Sequence, residues 1–203
     1  MKNLIITISR QYGSGGRQIG QQLAKELNIP FYDKEIIDLA AKESGLAADF
    51  IRGQEQQLTQ SLLFSIVTNF TSNSSAFNPN MLSLSDQVYL AQAKAIRALA
   101  DKGPCVIVGR NADYILKDRK DCLHAYIHAD EDFRADRIVR LYGESEKSPF
   151  ARLQEKDKRR MINYEHYTGR TWGVASNYDI CLNSAIIGVD KCVDILASIC
   201  QGE

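Results

Sequence analysis

The sequence predicts an α/β fold, a three-layer sandwich in which a five-stranded parallel sheet is covered by helices on both faces. Three observations predict it. Short apolar, β-branched runs alternate with amphipathic ones, a glycine-rich turn follows the first apolar run directly, and no repeat of solenoid spacing interrupts the alternation. Ligands of such sheets bind at the carboxyl ends of the strands, so the site is expected there.

The first strand is "NLIITIS" at 3–9, almost continuously apolar, as a strand covered on both faces tends to be. After the glycines, "RQIGQQLAKELN" spaces Ile19, Leu23 and Leu27 as one helical face, and Asn28 and Pro30 close that helix. "IPFYD" reads as a second strand. "KEIIDLAAKESG" reads as a helix with Ile36, Ile37, Leu39 and Ala40 on its apolar side and Gly45 at its end. A further helix is expected through "ADFIRGQEQQLTQSLLFSIVTNF", then a polar loop from Thr71 to Ser85. Asp86 is expected to cap the helix "QVYLAQAKAIRALADKG", which Gly103 and Pro104 terminate. Three more strands are predicted at 105–109, 123–129 and 178–183. The helix "DEDFRADRIVRLYG" follows the middle one. "GVDKCVDILASICQ" closes the chain with Val189, Cys192, Val193, Leu196, Ile199 and Cys200 on one stripe.

Composition limits the function. The 203 residues, 44% of them hydrophobic, suit one domain over 1–203 with a core from 1–44 and 104–203 and a helical lobe at about 45–103. Its 25 basic and 25 acidic side chains leave no chain-wide basic field, so neither nucleic acid nor a membrane is an expected partner. The opening residues lack a cleavable leader pattern, which makes a cytoplasmic protein the expectation. The five cysteines form no CxxC pair and read as free thiols, and the three histidines have no metal-ligand spacing, so no metal site of the protein's own is predicted.

The chemistry-bearing signal is "ISRQYGSGGRQIG", Ile8 to Gly20. A glycine turn between a strand and a helix aims backbone N–H groups and the positive helix end at one point, which suits phosphate. The consensus GxxxxGK[ST] is not met, because Gly16 or Arg17 stands in the lysine slot and Arg17 or Gln18 in the hydroxyl slot, depending on register. Arg17 is the expected charge. With no hydroxyl in that slot, Ser14, a water or the nucleotide's own oxygens are left to meet magnesium. "VIVGRNAD" places Arg110 and Asp113 at the end of the third strand. Arg134, Arg137 and Arg140 recur every three residues on one helix face, and "EKDKRRMINYEHYTGRTWG" concentrates basic and aromatic residues as a lid would, at about 150–173. Taken singly, each has a blander reading as a tight turn, a salt bridge or a solvated face.

Together and in this order, "TISRQYGSGGRQIG", "PFYDKEII", "VIVGRNAD", "DEDFRADRIVR", "KDKRRMINYEHYTGRTWG" and "NYDICLNS" resemble the cytidylate kinase-like family, a branch of the P-loop nucleoside monophosphate kinases. The resemblance implies a fold of P-loop kinase type in which the region 45–103 binds the acceptor. It also implies ATP with Mg2+ as cofactors and a nucleoside monophosphate such as CMP or dCMP as acceptor. It places Gly13, Ser14, Gly15, Gly16, Arg17 and Gln18, with Asn183 and Ser184, around the donor, and Asp33, Arg110, Asp113, Arg134 and Asp157 around the acceptor. Arg17, Arg110, Arg137, Lys158 and Arg160 are the implied catalytic cations.

The sequence departs from the family pattern at the absent lysine, at Asn111 in place of an aspartate, and at "DKE" where Asp-Ser-Gly or Asp-Thr-Gly is usual. The absent lysine motivates the alternative of a P-loop protein that binds nucleotide with little or no turnover and acts as a sensor or interaction module. A DNA-reading helix pair in "DLAAKESGLAADFIRG" is opposed by Asp38, Glu43 and Asp49 and by the neutral net charge. The apolar run 62–67 leaves open a homodimer through the helical lobe.

Overall fold

Ile5–Arg10 form β1 at the centre of the sheet, flanked by parallel partners on both sides: Ile6 pairs with Val106 of β3 (Cys105–Val108) and Leu123 of β4 (Cys122–His128). The computed structural model describes residues 4–36, 38–39, 83–143 and 148–202. β2 (Phe31–Tyr32) lies outside β3 and β5 (Ile180–Asn183) outside β4, giving the all-parallel order β2-β3-β1-β4-β5. The predicted five-stranded parallel sheet is thus the observed one. Successive connections leave β1 toward opposite edges, so its carboxyl end opens at a crevice where such sheets bind ligands.

Alternation along the strands sorts side chains onto two faces. Ile6, Ile8, Val106, Val108, Ala125, Ile127 and Leu182 form one core with Ile19 and Leu23 of α1 (Gly16–Glu26) and Cys192, Val193 and Leu196 of α7 (Val189–Gln201). Each such buried aliphatic side chain contributes roughly 1.5–3 kcal/mol of transfer free energy. The predicted stripe of α7 holds at those positions and at Cys200, whereas Ile199 is 39% exposed. The other face is more polar: Thr7 Oγ1 meets His124 Nδ1 at 2.8 Å, and burial holds that imidazole below its ordinary pKa.

The other helices among the described residues are α2 (Leu84–Ala100), α3 (Ala112–Ile115), α4 (Glu131–Tyr142), α5 (Pro149–Thr168) and α6 (Ser184–Ile187). Ser83, rather than Asp86, caps α2: its Oγ accepts from the Asp86 N–H at 3.1 Å and donates to Asp86 Oδ2 at 2.7 Å. The chain divides into one unit of residues 1–33 with 97–203 and another of 34–96. The helix expected at 34–45 falls largely outside the described residues, and the second lobe helix, the DNA-reading motif and the apolar run 62–67 fall there too. All five cysteines are free thiols, and burial pushes Cys105 up to about 12 and Cys122 up to about 11. None of the described helices is long and apolar enough to cross a membrane.

The polar face is held by Asp113. Its carboxylate accepts from Ser9 Oγ at 3.1 Å and from Tyr164 Oη at 2.8 Å, joining β1, α3 and α5. Burial raises its pKa and outweighs both bonds. A group raised in the folded state contributes stability below its unfolded value that is lost as pH rises through the folded one. Tyr164→Phe removes a bond that favours the ionised form, so urea unfolding is expected to show a loss of about 1–3 kcal/mol at pH 7. The decline in stability above pH 4 should also be steeper than in the wild type.

Candidate functional site

The turn between β1 and α1 is built by its own backbone. Gln11 N–H donates to Ile127 O at 3.0 Å, and Gln11 O accepts from the Ser14 hydroxyl at 2.9 Å. Ser184 Oγ donates to Ser14 O at 2.6 Å and also lies 3.2 Å from His128 O, fastening the turn to the ends of β4 and β5. Gly13 and Gly15 take φ of 80° and 82°, and a Cβ on Gly13 would lie 2.9 Å from Arg134 O, so the chain needs glycine there. Gly15 caps α1 without a side chain, and the first turn of α1 has no acidic residue. The positive end of the helix therefore faces the turn uncompensated from within the helix, as an anion site requires.

The guanidinium packed onto this turn is that of Arg137 in α4. A Cβ on Gly15 would lie 3.4 Å from Arg137 Cζ and Nη2. Arg137 is 7% exposed; its Nη2 donates to Gln18 Oε1, while its buried Nε has no partner. A buried cationic donor left unsatisfied is costly, and the atoms of this guanidinium nearest Gly15, Cζ and Nη2, put its charge at the glycine turn.

Arg134, one turn earlier on α4, braces the turn: its Nε donates to Ala129 O and its Nη1 to Tyr12 O, both at 3.1 Å. Nη1 also reaches Asp157 Oδ2 of α5 at 2.6 Å. Asp157 Oδ1 accepts from Tyr12 N–H at 2.7 Å and from Arg160 Nη1 at 3.1 Å, and Arg160 lies 5.4 Å from the Tyr12 ring. The segment expected as a lid is thus largely one 20-residue helix, bound to the turn at Asp157 and Arg160.

A second cationic cluster lies at the carboxyl ends of β2 and β3. Asp33 Oδ2 accepts from Arg17 Nε at 2.7 Å and Asp33 Oδ1 from Arg110 Nη1 at 3.2 Å. Burial alone would raise the Asp33 carboxyl, but Arg17, Arg10 and Arg110 together hold it below its ordinary range. Arg10 reaches across to the turn after β3, where a Cβ on Gly109 would lie 2.1 Å from its Nη1. That turn holds Arg110 and Asn111 at φ of 53° and 54°, a left-handed conformation unfavourable for side-chain-bearing residues, and it fixes Arg110 against Asp33.

These placements redistribute the predicted roles. Arg17 is 47% exposed along its side chain and bound to Asp33, and the guanidinium that lies against Gly15 is that of Arg137. The Ser14 hydroxyl is buried and faces Gln11 O, and Gln18 is held by Arg137. Neither suits magnesium, so a protein-held metal does not fit this turn. Asp113, expected at the substrate, is enclosed under Tyr164. Ser184 is buried beneath the turn, Asn183 Oδ1 caps α6 through Ala185 N–H at 3.0 Å, and Lys158 is exposed on α5. Of the three spaced arginines, Arg134 and Arg137 are buried, whereas Arg140 is exposed and pairs with Asp136 at 3.3 Å. Sequence reasoning assigned no role to Arg10 or Tyr12, whose only signal was their place beside the glycines.

Comparison with known proteins bears on the family and the fold. The profile of the cytidylate kinase-like family matches residues 5–186. The chain is similar to a crystallised uncharacterized protein from Eubacterium ventriosum, with 27% identity and a TM-score of 0.73 over 98% of this chain and 99% of that one. A gluconokinase from Sinorhizobium meliloti (15% identity, TM-score 0.57, 99% and 95% covered) shares the fold. So does a shikimate kinase from Bacteroides thetaiotaomicron (12% identity, TM-score 0.55, 98% of each covered). No curated protein matches the sequence.

Asp157→Asn tests the brace. Leaving Arg134 buried beside a neutral amide is expected to cost about 3 kcal/mol in urea unfolding. The protein should also lose affinity for inorganic tripolyphosphate in calorimetry, because Tyr12 and the turn it anchors lose their carboxylate.

Proposed function

This chain belongs to the cytidylate kinase-like family, and from that premise we propose that it is an ATP-dependent phosphotransferase whose acceptor is a nucleoside monophosphate, CMP or dCMP first. The observation that carries the reading is Arg137, buried against Gly15 with its Nε unpartnered at the uncapped start of α1. A P-loop lysine would put one mobile ammonium there; a guanidinium held from α4 supplies a fixed fork that suits two phosphate oxygens.

The donor phosphates would lie against the amides of residues 13–17 and Arg137. Arg110 and Arg17 would hold the acceptor phosphate, with Asp33 keeping the two arginines apart and aimed until that anion arrives. Lys158 and Arg160 of α5 would face the transferring group, with Asn183 and Ser184 shaping the floor beside the donor. Transfer between two phosphates in line needs positioning and charge neutralisation more than a protein nucleophile. Magnesium would come with the nucleotide and would supply charge neutralisation there, with none of the turn's side chains holding it.

The second reading, a nucleotide-binding module without useful turnover, is favoured by one observation. Gln18, in the hydroxyl slot, is already bound to Arg137 and offers no magnesium ligand.

ADP formation with ATP and magnesium, measured across CMP, dCMP, UMP, AMP, GMP and a no-acceptor control, separates the two. Acceptor-dependent turnover is expected, with kcat reduced about 10²- to 10³-fold in Arg137→Ala. Arg17→Ala is expected to act chiefly on the acceptor KM. Undiminished turnover in Arg137→Ala would refute the assignment, and ATP binding without transfer to any acceptor would establish the second reading.

A further inference from the structure

A cleft of about 370 Å³ opens over β4 and β5 on the polar face of the sheet, outside both cationic clusters. Tyr126 forms its floor. That ring is stacked on Tyr178 at 4.8 Å and meets Trp172 edge-on at 5.7 Å, and His128 lies 6.3 Å along the strand at an interplanar angle of 21°. Gly173 lies against the Tyr126 hydroxyl, where a Cβ would come within 2.8 Å; its φ of 77° brings Trp172 to the cleft edge. The floor and wall are therefore fixed before any ligand enters.

The lining is chemically selective. It contains no lysine, arginine, aspartate or glutamate, so nothing in it selects a phosphate or a cation. Its polar side-chain groups are neutral ones, the His128 imidazole and the Gln11 amide with the Trp172 indole N–H, the Tyr126 hydroxyl and the Cys181 thiol. Gln11 Oε1 is taken by Ala129 N–H at 3.1 Å, which leaves Nε2 as the donor for a ligand. Flat aromatic walls with a few edge-on polar groups, in a volume typical of small-molecule pockets, suit a flat ring carrying its own donors and acceptors.

We propose that the cleft formed by Tyr126, His128, Trp172 and Cys181 binds an uncharged heteroaromatic ring of the nucleobase class. Gln11 joins this cleft to the glycine turn, since its carbonyl accepts the Ser14 hydroxyl while its side chain lines the cleft. A ring seated here touches the same residue that shapes the anion site. The proposal stands apart from the kinase reading, because it concerns a neutral ligand and uses none of the arginines.

Trp172 is the sole tryptophan of the chain, so its fluorescence reports on this cleft alone. The full-length protein titrated with cytidine, adenosine and guanosine is expected to show saturable quenching, half-complete below about 1 mM for at least one of them. Ribose should give none. Ala175→Leu, an exposed substitution at the cleft mouth, should weaken the response at least tenfold without changing the thermal midpoint. Cys181→Phe, which fills the floor, should abolish it.

Adding inorganic tripolyphosphate distinguishes two sources of the ring. A nucleoside response that survives saturating tripolyphosphate marks a site for a separate nucleoside, as proposed, whereas an ATP response at least tenfold tighter than that of adenosine and displaced by tripolyphosphate marks only the base of the donor nucleotide and overturns the proposal. No saturable response to any nucleoside, an equal response to ribose, or a response that both substitutions leave intact would overturn the proposal. ADP formation is read separately, so failure of this site and failure of the kinase reading are distinguishable.

Discussion

The site depends on one carboxylate. Asp157 receives the Tyr12 N–H, Arg134 and Arg160, so a single pair of oxygens holds the glycine turn, α4 and α5 in one arrangement. Its net electrostatic gain is small against the cost of desolvating the charges, as buried ion pairs usually show. Its structural consequence is large: Arg134 reaches the carbonyls of Ala129 and Tyr12 only from this position, and Arg137, one turn on, is thereby placed against Gly15.

From that constraint follows a different placement of charge at the glycine turn from the one a P-loop lysine provides. A lysine on the loop is flexible and approaches the anion along its own chain. Here the charge comes from a neighbouring helix, is nearly buried, and has one donor unsatisfied. The loop's own arginine is turned to Asp33, where with Arg110 and Arg10 it surrounds a carboxylate held in its ionised form. The two cationic clusters lie on either side of β1.

The cysteines and histidines illustrate the limits of local pattern. The five cysteines read as free thiols from their spacing, and they are free in the structure. The histidines carried no pattern at all, yet His124 bonds Thr7 across strands and His128 lines an aromatic cleft with Trp172. Neither contact spans fewer than 40 residues along the chain, so no local window would reveal it.

The sequence by itself determined the sheet, its parallel sense, the glycine turn after the first strand and the helical stripes of α1 and α7. Those features rest on short-range periodicity and on glycine's access to positive φ. Tertiary structure decided which partner each charge meets. Arg17 and Arg137 both read as candidates, but a guanidinium's role depends on what lies within about 3 Å of its nitrogens. Arg17 lies beside Asp33, 16 residues away, whereas Arg137 bonds Gln18, 119 residues away. Asp113 differs for the same reason: a carboxylate at a strand's end reads as ligand-facing until Tyr164, from a distant helix, closes over it.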